Sequence, residues 1–203
     1  MAVTAADVKQ LRDRTGAAMM DCKAALEEAS GDVDRAIEIL RVKGQASAEK
    51  RSGRATGEGL VASYIHANGK VGVLVEVQCE TDFVARNEDF REFASEVALH
   101  IAGSPTPPRY VSAEEIPEDE REAERQIHER KAREDGKPAD VIERVVDGQL
   151  AKWAKEVALL DQEHIRGDRY EGKTIEQLRA EVAAKTGENV RVARFARFAV
   201  GEE

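Results

Sequence analysis

The sequence predicts an α+β fold, and three features carry that prediction. Three short amphipathic segments, each bounded by a capping residue and a glycine, fill residues 1–45. An Asn-Gly turn separates two β-prone runs between Leu60 and Cys79. After that the apolar spacing is helical, until a Val/Phe run alternates again from Asn189 to Val200.

Thr4 opens the first segment, and Asp7, three residues on, completes an approximate capping box. Val8 and Leu11 share its inner face, and Gly16 stops it. Asp21 stands near the start of the second helix, with Ala25, Leu26 and Ala29 on the apolar side and Gly31 at the end. Asp32 caps a third helix lined by Ala36, Ile37 and Leu40, which Gly44 is expected to close. Such a unit is marginal by itself, which suits a docking head. Residues 46–58 are small, polar and basic (Lys50, Arg51, Arg54), and read as a linker that is helical at most at its start.

Leu60 to His66 is a strand, Ala67-Asn68-Gly69-Lys70 its turn, and Val71 to Cys79 the returning strand, with Val71, Val73, Val75 and Val77 in alternation. Beyond the segment Thr81–Arg86, Asn87 caps a helix that carries Glu88 and Asp89 in its first turn, where acids complement the helix dipole. Phe90, Phe93, Ala94, Val97, Ala98 and Ile101 form its single apolar face. Pro105, Pro107 and Pro108 break it.

Residues 112–135 are densely charged, with Glu129 and Arg133 in the favourable i,i+4 order. Gly136-Lys137-Pro138 turns the chain into a helix marked by Val141, Val145, Trp153 and Val157. The pair predicts an antiparallel helical hairpin over about 112–160, projecting from the body. Thr174 caps a further helix, apolar at Ile175, Leu178 and Val182 and stopped by Gly187. The closing run Val190, Val192, Phe195, Phe198 adds a third strand to the sheet, with a phase break near Ala193. A three-stranded sheet has open edges and an incompletely covered face, which favours dimerisation.

Composition narrows function. The 203 residues are 41% hydrophobic and 35% charged, the balance of a globular protein. The net charge of −9 argues against nucleic-acid binding, which calls for a basic stripe to offset phosphates. No apolar run reaches membrane-spanning length. Met1-Ala2-Val3-Thr4 has neither the basic start nor the apolar stretch of a signal peptide, so a cytoplasmic location is expected. Cys22 and Cys79 have no metal-ligand spacing and read as core thiols. There is no phosphate-binding loop, dinucleotide turn or nucleophile elbow, and His66, His100, His128 and His164 are scattered along the chain. No catalytic residue, cofactor or metal is expected. One reading of these observations is an adaptor that uses residues 1–45 for peptide or ubiquitin-like recognition.

Two motifs identify a family. Leu11-Arg12-Asp13-Arg14-Thr15-Gly16-Ala17-Ala18-Met19-Met20-Asp21-Cys22-Lys23-Ala24-Ala25-Leu26, continued by Gly31-Asp32 and Ala36-Ile37, resembles the amino-terminal signature of elongation factor Ts. Cys79-Glu80-Thr81-Asp82-Phe83-Val84-Ala85-Arg86-Asn87 resembles its second signature, and Gly136-Lys137-Pro138 and Arg194-Phe195 with Arg197-Phe198 fit as well. The resemblance implies a ubiquitin-associated-like head (1–45), a linker (46–58) and a core and dimerisation domain (59–203). The core would hold a three-stranded antiparallel sheet, helices and a projecting helical hairpin. Longer relatives carry two core modules; this sequence shows one, so two chains would form a homodimer through the sheet. Ala196 stands where a cysteine is expected in some short relatives, so a covalent link there is excluded.

The function implied is guanine-nucleotide exchange on elongation factor Tu, bound in its GDP and nucleotide-free forms, by disturbance of the Mg²⁺/phosphate site. The resemblance places Thr81, Asp82, Phe83 and Val84 at the partner's nucleotide-binding domain, with Phe83 as a wedge. Asp82 either hydrogen-bonds partner groups near the metal or perturbs its coordination. Arg12, Met19 and Met20 belong to the head's binding face, and His66 is carried over as a contact to another domain of the partner. Residue type alone would favour burial of Phe83 and of the methionines.

Overall fold

The computed structural model describes residues 3–202; Met1 and Ala2, from the segment read for a leader, and Glu203 lie outside them. The elements are α1 (Ala5–Thr15), α2 (Met19–Glu28), α3 (Val33–Arg51), β1 (Glu58–Ile65), β2 (Val71–Cys79), α4 (Asp82–Ala85), α5 (Glu88–Gly103), α6 (Glu118–Glu134), α7 (Ala139–Val157), α8 (Gly167–Tyr170), α9 (Ile175–Thr186) and β3 (Arg191–Ala199). The strands form one antiparallel sheet in the order β1-β2-β3. Residue contacts gather into two units. The first holds the segment ending at Ala62, Glu76–Ser95 and Gln177–Ala193; the second holds Ser63–Val75, Glu96–Glu176 and the segment beginning at Arg194.

In the first unit the head forms as its local signals dictate. The Thr4 and Asp7 side chains complete a capping box, and Gly16 ends α1 in the left-handed region at φ 66°. A Cβ at Gly16 would push aside the flexible end of Lys185, whose Cε would lie 2.6 Å away, so it is the left-handed φ that favours glycine there. Val8, Leu11, Cys22, Ala25, Leu26 and Ala36 make one small core. Its shortage of large side chains leaves it dependent on its neighbours.

Gly44 does not close α3, which runs on to Arg51, so the first residues of the segment 46–58 are helical. The helix passes α9 at this point, where a Cβ would make ordinary contact with the Ala184 Cβ at 3.6 Å. Ala48 is buried one turn on, and the Arg51 guanidinium donates to the Ala183 carbonyl at 3.4 Å. The head is therefore seated on α9 through a continuous helix. Only Ser52–Gly57 remains as irregular connector.

The second unit holds the far end of the β-hairpin, where His66 donates its backbone N–H to the Val71 carbonyl and Gly69 turns the chain at φ 67°. The Val200 N–H reaches the Lys70 carbonyl at 2.9 Å, which sets the register of β3 against β2. The exposure of β3 changes phase after Val192, as expected near Ala193: Phe195, Arg197 and Ala199 are half-buried, whereas Ala196 and Phe198 are exposed. Helices α6 and α7 pack as an antiparallel pair around Gly136, with Ile116, Ala154 and Val157 in a small core at their base. The helix starts at Glu118, after Pro117, so the expected hairpin boundary of 112 includes a 3₁₀ turn (Ala113–Glu115). Arg133 and Glu129 pair at 2.9 Å as their spacing predicts. No helix among the described residues is long and apolar enough to cross a membrane.

Two of the histidines that lie apart in sequence meet in this unit. The rings of His100 and His164 are 5.5 Å apart, and both residues are almost wholly buried. His100 Nδ1 accepts the Ile165 N–H, and its Nε2 donates to Gln162, whose amide nitrogen is committed to the Thr106 and Glu156 carbonyls. His164 Nδ1 accepts the Arg166 N–H, and Nε2 points at the Glu96 carbonyl. Each ring is thus held neutral with its proton on Nε2, because a second proton on Nδ1 would meet a donor. The Glu96 carboxylate, paired with Arg166 and Arg169, flanks them, and Tyr170 meets His164 edge-on.

Burial is the main reason that the His100 pKa falls from 6.5 to about 4, and burial lowers His164 as well. A histidine depressed in the fold stabilises it fully above the unfolded value and less as pH falls toward the folded one. The melting temperature is therefore expected to hold above pH 6.5 and to drop between pH 6.5 and about 4, with about 3 kcal/mol from His100. His100→Gln should flatten that part of the profile; an unchanged slope would contradict the assignment.

Candidate functional site

The segment between β2 and α5 is not a plain strand-to-helix turn. Thr81 caps a one-turn helix, α4, and Asn87 then caps α5 through the backbone N–H groups of Asp89 and Phe90. One turn is too short to stand on its own hydrogen bonds, so α4 needs outside support at both ends. Val84 supplies the inner anchor, being 9% exposed, while Phe83, beside it, is 82% exposed. The expected Thr81–Val84 cluster thus divides into one buried anchor and one aromatic in water. Phe83 stands on a helical turn rather than on a strand end.

Asp82 is half-buried and pairs with Arg86 at 3.0 Å, one turn along. Behind the tip, Cys79 is wholly buried and its thiol donates to the Thr81 carbonyl at 3.2 Å. Burial, then the nearby Glu188 charge, push its pKa up to about 11, so it remains a neutral donor. Cys22 is equally buried, as expected for a core thiol.

The tip is also held from a distant part of the sequence. The Glu188 carboxylate accepts the backbone N–H groups of Glu80 and Thr81, each at 3.0 Å, and the Thr81 hydroxyl at 2.6 Å. In return, Glu80 accepts the Asn189 N–H at 2.6 Å and pairs with Arg54 at 3.3 Å. That backbone donor, then Arg54, holds the Glu80 carboxyl below the usual range. Asn189 is buried, and its amide donates to the Ser52 and Arg54 carbonyls. Neither Glu188 nor Asn189 stands out in the sequence, where the only signal is a pair of polar residues after the helix-stopping Gly187.

On the head, Arg12 and Met20 are exposed, with Met20 at 71%, and Met19 is 44% exposed. None of them belongs to the head's core, against the ordinary burial of methionine. They lie in the same unit as the tip. His66 lies in the other unit, exposed at the hairpin turn, with its Nδ1 3.3 Å from the Tyr64 hydroxyl. No group of three or more His, Cys, Asp or Glu side chains suited to a metal ion occurs among the described residues.

Comparison with known proteins agrees over the whole length. The sequence model of the family described as "Elongation factor TS" matches residues 2–202. The chain is similar to "Elongation factor Ts" of Caldanaerobacter subterraneus subsp. tengcongensis, at 52% identity over 200 residues and 98% of both chains. It is 51% identical to "Elongation factor Ts" of Nitratidesulfovibrio vulgaris, covering 100% of this chain and 99% of the relative. With "Elongation factor Ts" of Geobacter metallireducens it shares 50% over 202 residues, 100% of this chain and 91% of the relative.

The exposures generate a stability test of the tip. Phe83→Ala should leave the melting temperature almost unchanged, whereas Val84→Ala should cost about 1–2 kcal/mol, read by thermal denaturation. Equal losses would mean that Phe83 packs against the body.

Proposed function

Because the chain belongs to the elongation factor Ts family, we propose that Thr81–Val84 is the element with which it loosens GDP on its partner. The protein is a nucleotide-exchange factor for elongation factor Tu and makes or breaks no covalent bond. Such a factor must bind the nucleotide-free partner more tightly than the GDP form. Linkage then requires that GDP weaken the factor as much as the factor weakens GDP. Equal affinity for both forms would shift nothing.

The observation that carries the reading is Phe83, a large aromatic left 82% exposed on a braced single turn. Its transfer from water into a pocket of the partner is worth roughly 1.5–3 kcal/mol, the scale of an interface hot spot. Asp82 stands beside it, paired with Arg86 in the free protein, and exchange of that pairing for groups of the partner disturbs the Mg²⁺/phosphate site. Arg12, Met19 and Met20 on the head supply affinity that does not depend on the nucleotide, with Met adapting to the partner's contour. His66, at the far turn of the sheet, reaches another domain of the partner. In this division of work residues 1–45 are the head, 46–58 the connection and 59–203 the core, in the cytoplasm.

Two chains act together. Ile65, Leu74, Phe198 and Val200 are exposed and line one apolar trough on the second unit's part of the sheet. Clustered apolar surface of this kind marks an interface, and with one core module per chain a second copy is its natural occupant.

Catalytic amounts of the protein should accelerate release of fluorescent GDP from elongation factor Tu. Phe83→Ala should slow that release by about 10- to 150-fold; full activity in the variant would remove the wedge. Light scattering at micromolar concentration should give a dimer mass for the wild type and a monomer mass for Phe198→Asp. A monomeric wild type would contradict the dimer.

A further inference from the structure

We infer that Glu188 is a positioning residue for exchange: its carboxylate fixes the Thr81 cap and thereby the direction in which Phe83 is presented. This rests on the tip being the exchange element.

The geometry forms a relay from Glu188 to Phe83. Glu188 Oε2 accepts two successive backbone N–H groups, from Glu80 and Thr81, at 3.0 Å each. Its Oε1 takes the Thr81 hydroxyl proton at 2.6 Å. With its proton committed there, the Thr81 oxygen turns its lone pair toward the Val84 N–H, at 3.5 Å, and caps α4. A charged acceptor strengthens all three bonds. The long cap bond alone would not hold the turn.

Glu188 is itself mounted firmly. The preceding Gly187 ends α9 at φ 76°. The following Asn189 is buried and bonded to Glu80, Ser52 and Arg54. The carboxylate is therefore aimed by its own backbone before it meets the tip. Phe83 gains nothing from this in the free protein, since it lies in water. The gain comes in the step after the head has bound, when the tip inserts to release GDP, because a tip already in its bound direction loses less freedom in that step.

The test is stopped-flow release of fluorescent GDP from elongation factor Tu over a range of factor concentrations, with hydrogen exchange on the same proteins. Glu188→Ala should lower the saturated release rate by about ten- to a hundredfold, the scale of a misplaced contact group. The half-saturating concentration should move less than about threefold, since the head is untouched. Glu188→Gln keeps one acceptor oxygen and should fall between Ala and wild type. In the Phe83→Ala background, Glu188→Ala should add almost nothing, because both act through one group. Backbone amides of residues 80–86 should exchange faster in Glu188→Ala while those of the head stay unchanged.

A wild-type saturated rate in Glu188→Ala overturns the inference, as does a loss confined to half-saturation or one that multiplies with Phe83→Ala. Should the Ala variant fail to fold, Glu188→Gln decides by the same criteria. Failure of the underlying reading looks different: Phe83→Ala itself would then release GDP at the wild-type rate, while the exchange of residues 80–86 would still respond to Glu188.

Discussion

The placement of the tip rests on a reciprocal exchange of hydrogen bonds between residues more than a hundred positions apart. Glu188 accepts from the backbone of Glu80 and Thr81, and Glu80 accepts from the backbone of Asn189. Closing so long a loop costs conformational entropy, and charged acceptors on backbone donors are among the stronger bonds available to offset it. The exchange joins the end of β2 to the turn that feeds β3. Through Asn189 it also reaches the end of α3, where the head's last helix stops. Three segments that differ in composition are brought to one place, and α4 stands on it.

Magnitudes limit what this small element achieves alone. Burial of one Phe side chain is worth roughly 1.5–3 kcal/mol. Moving a two-state equilibrium from one side almost wholly to the other takes about 5.5 kcal/mol of differential affinity. In the proposed reading Phe83 supplies at most about half of a complete switch, and Asp82 must supply the remainder, since affinity that is equal for both forms of the partner shifts nothing. That the head sits on α9 through unbroken helix, rather than hanging from a loose linker, matters here. In the proposed reading, binding through Met19 and Met20 brings the tip to the partner without a slack connection, because head and tip belong to one unit.

Much of this was legible in the sequence where the signal is local. Thr4 with Asp7, Asn68-Gly69, the valines of β2 and the apolar face of α5 each point to one structure, and each forms it. Gly44 misleads because a glycine that ends a helix and one inside it look the same along the chain; the buried Ala48 and the Arg51–Ala183 bond, which show that the helix goes on, depend on distant residues. Helix α4 is one turn long, below the length at which periodicity can show. The motif around Phe83 and its exposure as a wedge were readable through the resemblance, whereas residue type alone argues for burial. Glu188, and the meeting of His100 with His164, depend on partners far away in sequence. No local pattern encodes them.

The central claim is that discrimination against bound GDP resides in the tip and general affinity in the head. The most direct measurement is the dissociation constant of the factor from elongation factor Tu, with and without saturating GDP, for wild type, Phe83→Ala and Met20→Ala. The account predicts that Phe83→Ala narrows the ratio of the two constants by about tenfold or more, whereas Met20→Ala weakens both and leaves the ratio intact. If Phe83→Ala weakened both equally, the tip would be an ordinary contact and the account would be wrong.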